Sequence, residues 1–344
     1  MVGVAAEEGR GAIMGGEEFA RRSDPFRREL LAHCYRMLGS VHDAEDLVQE
    51  TLLRAWRAYD RFDDRRASLR TWLYRIATNA CLTALEQCRR RELPAGVAGP
   101  ADPEAPLAPA PPEVTWLQPI PDALLEGGSD DPATIVSLRG SVRLALVAAL
   151  QHLPARQRAV LILRDVLGWR AAEVAQVLDT TTAAVNSALQ RAREQLTQVA
   201  PAEDEVAEPG AADQRALLDR YVAAFERGDH DALVALLTDD LVVEMPPFLT
   251  WLAGRDAFER FLAPRLVAAR DPWRMIPTRA NGQPAVGAYR RGEDGVHHAH
   301  SVQVLTVTTK GVAHIVAFVD PDLFATFGLP QTHPSSAMAP AGRR

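Results

Sequence analysis

Residues 169–196 read WRAAEVAQVLDTTTAAVNSALQRAREQL, and this stretch decides how the rest of the chain is interpreted. Apolar residues recur every three or four positions on both sides of the DTTT tetrapeptide at 179–182. The spacing predicts two helices joined by a tight turn, whose hydroxyl side chains can cap the second helix. This pattern is typical of a helix-turn-helix, in which the second helix lies in the major groove of DNA.

The second helix has a short, polar and basic side opposite its apolar side. Amide, hydroxyl and guanidinium groups suit base edges and phosphates. We predict contacts to DNA from Arg170, Thr182, Asn186, Ser187, Gln190, Arg191 and Arg193. Asn186, Ser187 and Gln190 are the predicted base readers, and Arg156 and Arg158 are further candidates for phosphate contacts. A helical hairpin with a solvated polar face has the same pattern, so the stretch needs support from elsewhere in the chain.

Composition limits the classes that the chain can belong to. Its 344 residues allow two or three domains, and its net charge of −7 confines any DNA contact to local basic patches. Residues 19–93 are such a patch, with 15 arginines against 11 acidic residues. The three cysteines form no close pair, which favours a reducing cytoplasm and no zinc site. We expect a cytoplasmic protein with no cofactor, no metal and no membrane segment.

The region from Phe26 to Arg91 has a helical pattern throughout. It reads as three helices, the second opening near Asp43 and the third capped by Ser68. In the second helix the pattern places Trp56 on the buried face, and in the third it places Tyr74 and Thr78 on the outer face. Pro94 forbids continuation of the third helix.

Two segments carry a family resemblance. DAEDLVQETLLRAWRAYDRF at 43–62 and SLRTWLYRIATNACLTALEQCRRR at 68–91 closely resemble region 2 of extracytoplasmic-function (ECF) sigma factors of the sigma-70 family. Region 4 of the same family is similar to residues 153–178, LPARQRAVLILRDVLGWRAAEVAQVL, together with the second helix of the helix-turn-helix that follows them. The resemblance implies a subunit that brings bacterial RNA polymerase to specific promoters and initiates transcription.

The resemblance also implies roles for individual residues. The helix at 43–57 would dock on the clamp helices of the polymerase β′ subunit through Asp46, Gln49, Glu50, Leu52 and Trp56. The helix at 69–91 and the loop before it would melt and hold the −10 promoter element, with contacts from Arg70, Tyr74, Arg75 and Asn79. Tyr74 can stack on an unpaired base. Region 4 would bind the −35 element. A plain repressor has no use for region 2.

The tract at 94–137 is rich in Pro, Gly, Ala and acidic residues, so we expect it to be mostly extended or mobile. It contains WLQPIPD at 116–122, whose aromatic and aliphatic residues suggest a docking segment; a patch collapsed on region 2 or 4 is the alternative. The predicted interdomain contacts are Trp116, Pro119, Asp122, Asn281 and Gln283.

A third domain follows a second acidic linker. Its helices precede strand-like runs at 273–279, 284–290, 299–309 and 312–319, which predicts an α+β fold. YVAAFERGDHDALVALLTDDLVVEMPP at 221–247 and NGQPAVGAY at 281–289 resemble the SnoaL-like domain, a cone of bent sheet over helices. The predicted division of the chain is 1–18 disordered, 19–93 region 2, 94–137 linker, 138–200 region 4, 201–211 linker, 212–330 SnoaL-like domain and 331–344 disordered.

The third domain leaves alternatives open. The family includes cyclases and isomerases, and the acid–base candidates here are Tyr221, Glu244, Trp251, His298, His300, His314 and Asp320. A cyclase or isomerase fused to a DNA-binding module is therefore the alternative function. Phe248, Trp251, Phe258, Trp273 and Phe318 could instead line a small-molecule site. We favour a non-enzymatic sigma factor whose third domain packs on 116–122 and on regions 2 and 4 and modulates their activity.

Overall fold

The computed structural model describes residues 16–87, 89–126, 140–199, 210–267 and 273–334, which form two compact units. The first unit contains the described residues up to Arg90 and those from Leu124 to 199. The second contains Arg91–Ala123 and the described residues from 210 onward. In the part of the chain that is described, no helix is both long enough and apolar enough to cross a membrane.

The N-terminal half of the first unit has four helices: α1 (16–23), α2 (Arg27–Leu38), α3 (Val41–Ala58) and α4 (Leu69–Gln87). Gly39, with φ of 69°, ends α2, and the Ser40 hydroxyl accepts a hydrogen bond from the Asp43 amide at the start of α3. The predicted Ser68 cap is confirmed, because its hydroxyl accepts from the Thr71 amide at 3.1 Å. Residues 16–18, expected to be disordered, begin α1, and 1–15 lie outside the described residues.

The remaining helices of the first unit are α5 (Leu144–Gln151), α6 (Ala155–Leu161), α7 (Ala171–Val177) and α8 (Thr182–Val199). A π-helical turn at Ile162–Val166 follows α6, and Gly168 takes a left-handed conformation with φ of 69°. The Thr181 hydroxyl caps α8 by accepting from the Ala184 amide. The predicted helix-turn-helix is therefore formed by α7 and α8.

The second unit contains a six-stranded sheet in the order β4-β3-β8-β7-β6-β5. The strands are β3 (Leu237–Glu244), β4 (Trp251–Ala253), β5 (Trp273–Ala280), β6 (Gln283–Arg291), β7 (His297–Thr308) and β8 (Gly311–Phe318). Helices α9 (Ala211–Arg227), α10 (His230–Val234) and α11 (Arg255–Val267) contribute to its core, and α12 (Leu323–Thr326) follows β8. The strand-like runs in the sequence predicted β5, β6, β7 and β8, whereas the three-residue β4 was not predicted.

The chain from Arg91 to Ala123 is part of the second unit and is not a free tether. It begins with β1 (Arg91–Glu92), which pairs in parallel with β2 (Thr115–Trp116). Leu117 and Ile120 are buried, and the Ala108 amide donates to the Thr250 hydroxyl at 2.8 Å. We expected this tract to be extended or mobile; this part of it is mostly extended and is packed in place, because its apolar side chains are buried and its backbone is paired. Residues 127–137 and 201–209 of the two predicted linkers, 138–139 and 200 of predicted region 4, and 335–344 of the predicted disordered tail lie outside the described residues.

Candidate polymerase and promoter interface

Helix α3 presents an exposed face that combines carboxylates with large apolar side chains. Asp46 and Gln49 are exposed, and Glu50 and Leu52 are half-buried on the same side. Trp56 is 48% exposed, so its predicted place on the buried face is wrong. The reason is geometric: Trp56 lies three or four residues beyond Leu52 and Leu53, one turn along the exposed face. The arrangement suits a basic partner that also covers apolar surface.

Helix α4 has two faces with different environments. Arg75 and Asn79 are exposed, and Trp72 is half-buried beside them. Tyr74 and Thr78 are fully buried, so the prediction that they lie on the outer surface is wrong. They are covered because α4 packs on α2 and on the helix-turn-helix part of the same unit.

Tyr74 is enclosed by aromatic rings from both halves of the first unit. Its ring centre lies 5.1 Å from that of His33 and 5.1 Å from that of Trp169. Its hydroxyl donates to the Glu29 carboxylate at 3.3 Å, and burial raises the pKa of this hydroxyl. In this arrangement the Tyr74 ring cannot stack on a base, because Trp169 occupies the position beside it.

Arg70 joins the same cluster. Its Nη2 lies 2.8 Å from a Glu29 carboxylate oxygen, and its Nε donates to both oxygens of that carboxylate. The Arg70 guanidinium lies 5.1 Å from the ring centre of Tyr74 and 5.5 Å from that of Trp169. Two of the four predicted −10 contacts are therefore engaged inside the unit, while the other two face outward.

Two buried arginines also join the halves of the first unit. Arg36 donates to the carbonyl and hydroxyl oxygens of Ser141, at 3.2 and 2.5 Å. Arg158 donates to the carbonyls of Met37 and Leu153, so its predicted phosphate contact is wrong. Burial lowers the pKa of each guanidinium to about 10.

Some buried polar atoms near the contact between the two halves have no hydrogen-bond partner. Among the described residues, Arg36 Nη1, His33 Nδ1 and Trp169 Nε1 are buried without a hydrogen-bond partner. Each such group costs about 1–3 kcal/mol relative to its hydrated state.

The polar face of α8 is open to solvent. Arg170, Thr182, Asn186, Ser187, Gln190, Arg191 and Arg193 are all exposed, while Val185, Leu189 and Ala192 are buried. Arg193 forms a two-pronged ion pair with Asp165, at 2.7 and 2.8 Å, and the Gln190 amide donates to Glu194 at 3.0 Å. Arg193 must therefore exchange or share a partner to reach a phosphate, whereas the exposure of Asn186 and Arg191 suits direct contact.

The segment predicted to dock meets the β5–β6 hairpin. Asp122 accepts hydrogen bonds from the Gly282 amide at 2.7 Å and from Arg279 Nε at 3.0 Å. Asn281 takes a left-handed conformation, with φ of 57°, and exchanges two hydrogen bonds with Ile120. The Gln283 side chain donates to Thr306 within the sheet. Of the other predicted contact residues, Trp116 lies in β2 and Pro119 is buried.

The acid–base candidates of the second unit are dispersed. His314 Nε2 and a Glu244 carboxylate oxygen are hydrogen-bonded at 2.9 Å. The second Glu244 oxygen accepts from the Ala95 amide at 2.7 Å. Because their neighbours Val243 and Ile315 belong to the hydrophobic core, strand alternation places this pair on the opposite face of the sheet. The pair therefore anchors the 91–123 segment.

The other candidates have structural partners. Tyr221 donates to Gln303 at 2.8 Å inside the core. A register shift interrupts the strand around His298 and His300. His298 meets Asp294 at the surface, and His300 packs edge-on against Trp273. Burial lowers the pKa of His300 to about 4. The Trp251 indole donates to the Ala98 carbonyl, and the Asp320 carboxylate accepts from the Asp322 amide in the turn that follows β8. Phe318 lies on the sheet face opposite the core, away from Phe258 and Trp273.

Three family models match the chain. Sigma-70 region 2 matches residues 24–91, Sigma-70 region 4 matches residues 143–196, and the SnoaL-like domain matches residues 218–315. Two helical modules in this order define the sigma-70 class of promoter-specificity subunits.

Relatives of full length identify the family within that class. The ECF RNA polymerase sigma factor SigG of Mycobacterium tuberculosis (strain CDC 1551 / Oshkosh) is 52% identical over 330 residues, which cover 95% of this chain and 86% of SigG. SigJ of M. tuberculosis (strain ATCC 25618 / H37Rv) is 28% identical, covering 88% and 91%. The SigJ crystal structure superposes with a TM-score of 0.57 at 26% identity, over 89% of this chain and 97% of SigJ. The chain belongs to the ECF RNA polymerase sigma factors.

Membership of this family bears on the alternative functions. As a sigma factor the protein binds the RNA polymerase core and promoter DNA and directs transcription initiation. Sigma-factor function is favoured over an enzyme fused to a DNA-binding module, and the C-terminal domain is SnoaL-like, as the sequence resemblance indicated.

Proposed function

We propose that the first unit is a closed form of the sigma factor that must open to bind a promoter. The observation that carries this proposal is the burial of Tyr74 between His33 and Trp169. In the open form, Arg70 and Tyr74 join Arg75 and Asn79 in holding the unpaired −10 strand, and Asn186, Ser187 and Gln190 read the −35 element.

Promoter geometry supports the opening. The −10 and −35 elements lie about 25 base pairs apart, which corresponds to roughly 85 Å along B-form DNA at 3.4 Å per pair. Tyr74 and Trp169 belong to the modules for the two elements, yet their rings are 5.1 Å apart. Both modules cannot engage their elements at once while this contact persists.

The exposed face of α3 is the proposed docking site for the β′ clamp helices. Its carboxylates and exposed Trp56 offer charge and apolar area to a basic partner. Asp46→Ala should weaken core polymerase binding about fivefold or more and leave binding of the −35 duplex by the free protein unchanged. Unchanged core affinity would remove this assignment.

The second unit regulates the opening through the chain that joins the two modules. Regions 2 and 4 are connected by a segment whose residues 91–123 are anchored at Ala95 by Glu244 and at Asp122 by the β5–β6 hairpin. Released, 33 residues can span up to about 110 Å, at roughly 3.3 Å per residue. Anchoring therefore limits how far the two modules can separate, and release permits it.

The SnoaL-like domain serves this regulation and not catalysis. The Glu244–His314 pair lies on the sheet face opposite the core and holds a backbone amide, which leaves no free acid–base pair there. A small molecule that loosens the anchored segment would act as an inducing ligand. Turnover of a cyclase or isomerase substrate by the purified protein would contradict this assignment.

The decisive experiment compares the wild type with Trp169→Ala in binding a labelled single-stranded −10 oligonucleotide without polymerase. Removing Trp169 uncovers Tyr74 and should raise affinity at least fivefold. Trp169→Ala combined with Tyr74→Ala should return affinity to the wild-type value. Equal affinity of the wild type and Trp169→Ala would show that the contact with Trp169 does not prevent Tyr74 from binding the strand.

A further inference from the structure

The loop between α3 and α4, residues 60–67, is braced by the N-terminal helix α1. Arg22, near the end of α1, donates to both carboxylate oxygens of Asp64, at 2.9 and 3.1 Å. It also donates to the Tyr59 hydroxyl at 2.8 Å. The guanidinium lies 5.8 Å from the ring centre of Tyr59 and 6.0 Å from that of Phe62. One side chain therefore contacts the end of α3 and two positions of the loop.

A row of aromatic rings runs from α1 to α4 beneath this arginine. Phe19 meets Tyr59 at 5.1 Å, Tyr59 meets Phe62 at 6.2 Å, and Phe62 stacks on Trp72 at 4.8 Å with 30° between the planes. Phe19 is buried, whereas Phe62 and Trp72 are only half-buried. The row thus begins in the core and ends at the surface, beside the exposed Arg75.

Arg22 also neutralises one of the acidic side chains of the loop. The loop carries three aspartates and three arginines. Asp63 lies 3.5 Å from Arg66 within the loop, whereas Asp64 is paired by Arg22 from outside it. Without Arg22, the Asp64 carboxylate would face a bound strand uncompensated and repel its phosphates.

We propose that Arg22 is a positioning residue for binding of the unpaired promoter strand. It holds the 60–67 loop so that the Phe62–Trp72 stack offers a ring to an unpaired base, and it neutralises Asp64 beside the phosphates. A stacking platform next to cationic groups is the combination by which proteins hold single strands. The inference rests on the proposed function, in which this loop and α4 bind the −10 strand.

The test uses the full chain assembled with core polymerase and a labelled single-stranded DNA oligonucleotide carrying the −10 sequence. Arg22→Ala should lower affinity for the strand five- to tenfold, with affinities for core polymerase and the −35 duplex unchanged. Arg255→Ala is the matched control: Arg255 lies 2.8 Å from Asp239, and its side chain is 35% exposed, as is that of Arg22. This control should alter none of the three affinities.

A second variant separates positioning from damage to the fold. Asp64→Asn in the Arg22→Ala background removes the uncompensated charge and should recover at least half of the loss on a logarithmic scale. A purely structural defect would not be repaired by removing another polar contact. The proposal is overturned if Arg22→Ala binds within twofold of the wild type, if the double variant is no better, or if core affinity falls in parallel.

The wild-type measurement separates a failure of the proposed −10 role from a failure of the proposed role of Arg22. If the wild-type holoenzyme does not bind the −10 strand, the proposed −10 role is refuted and this inference falls with it. If the wild type and Arg22→Ala bind the strand equally well, only the inference about Arg22 is refuted.

Discussion

At the scale of single residues, exposure separates what sequence could predict from what it could not. The periodicity of α8 correctly placed Asn186, Ser187 and Gln190 outside its buried side, because period and burial are linked in an amphipathic helix. Tyr74 followed the same rule in α4 but is buried, because a second module covers the outer face. Local periodicity carries no information about such long-range contacts.

His33 makes the first unit sensitive to acid. It is fully buried against Thr78, and desolvation, with repulsion from Arg36 and Arg70, lowers its pKa from about 6.5 to about 3. The folded state therefore keeps His33 neutral, so its contribution to stability is complete above pH 6.5 and is lost as the pH falls toward 3. In that window the free energy of unfolding falls by about 1.4 kcal/mol for each pH unit of acidification.

Urea unfolding between pH 7 and pH 4.5 measures this effect. The free energy of unfolding of the wild type should fall more steeply with acid than that of His33→Gln, which cannot be protonated. His298→Gln, at an exposed site, is the control and should follow the wild type. Parallel curves for the wild type and His33→Gln would refute the assignment.

Two residues of α8 should differ in what their loss changes. Asn186→Ala should reduce discrimination at one base pair of the −35 element by about 1–3 kcal/mol. Arg191→Ala should weaken binding to all sequences and lower the salt slope by about one. Duplex binding to −35 variants at several salt concentrations checks both. A uniform loss for Asn186→Ala would mean that it contacts the backbone.

At the scale of elements, the segment at 91–123 departs furthest from its sequence pattern. Its Pro-rich composition favours an unpacked tract, yet Leu117 and Ile120 are buried and Glu244 holds Ala95. WLQPIPD, at 116–122, was the local signal, since apolar residues in a polar tract need a surface to cover. Strands β5 to β8 were predictable because each is a long run, and turn signals such as Asn281-Gly282 separate neighbouring runs.

Asp122 is the element-scale test of the anchored segment. Asp122→Ala removes the acceptor for Gly282 and Arg279 and should destabilise the second unit by about 2–3 kcal/mol. Amide exchange in 117–123 should accelerate at least tenfold. Asp102→Ala, at an exposed position within the turn at 102–105, is the control and should leave exchange in 117–123 unchanged. Protection that survives in Asp122→Ala would mean that other contacts anchor the segment.

At the scale of the whole molecule, the order of the domains along the sequence does not match the two compact units, because residues 91–123 lie between regions 2 and 4 in the sequence but belong to the second unit. The three-domain order of regions 2 and 4 and the SnoaL-like domain was readable from motifs. The assignment of 91–123 to the second unit was not, because it depends on hydrogen bonds across about 160 residues of chain, such as that between Asp122 and Gly282. The connection between the two promoter-binding modules is thereby held by the domain that follows both.

The most direct test measures the distance between one label on the exposed part of α4 and another on α8 by single-molecule energy transfer. In the free protein the closed form should give high transfer, and addition of core polymerase and promoter DNA should shift the population to a separation of roughly 60 Å or more. Asp122→Ala should increase the extended fraction before polymerase is added. A holoenzyme that initiates transcription while the two labels stay as close as in the free protein would contradict the account.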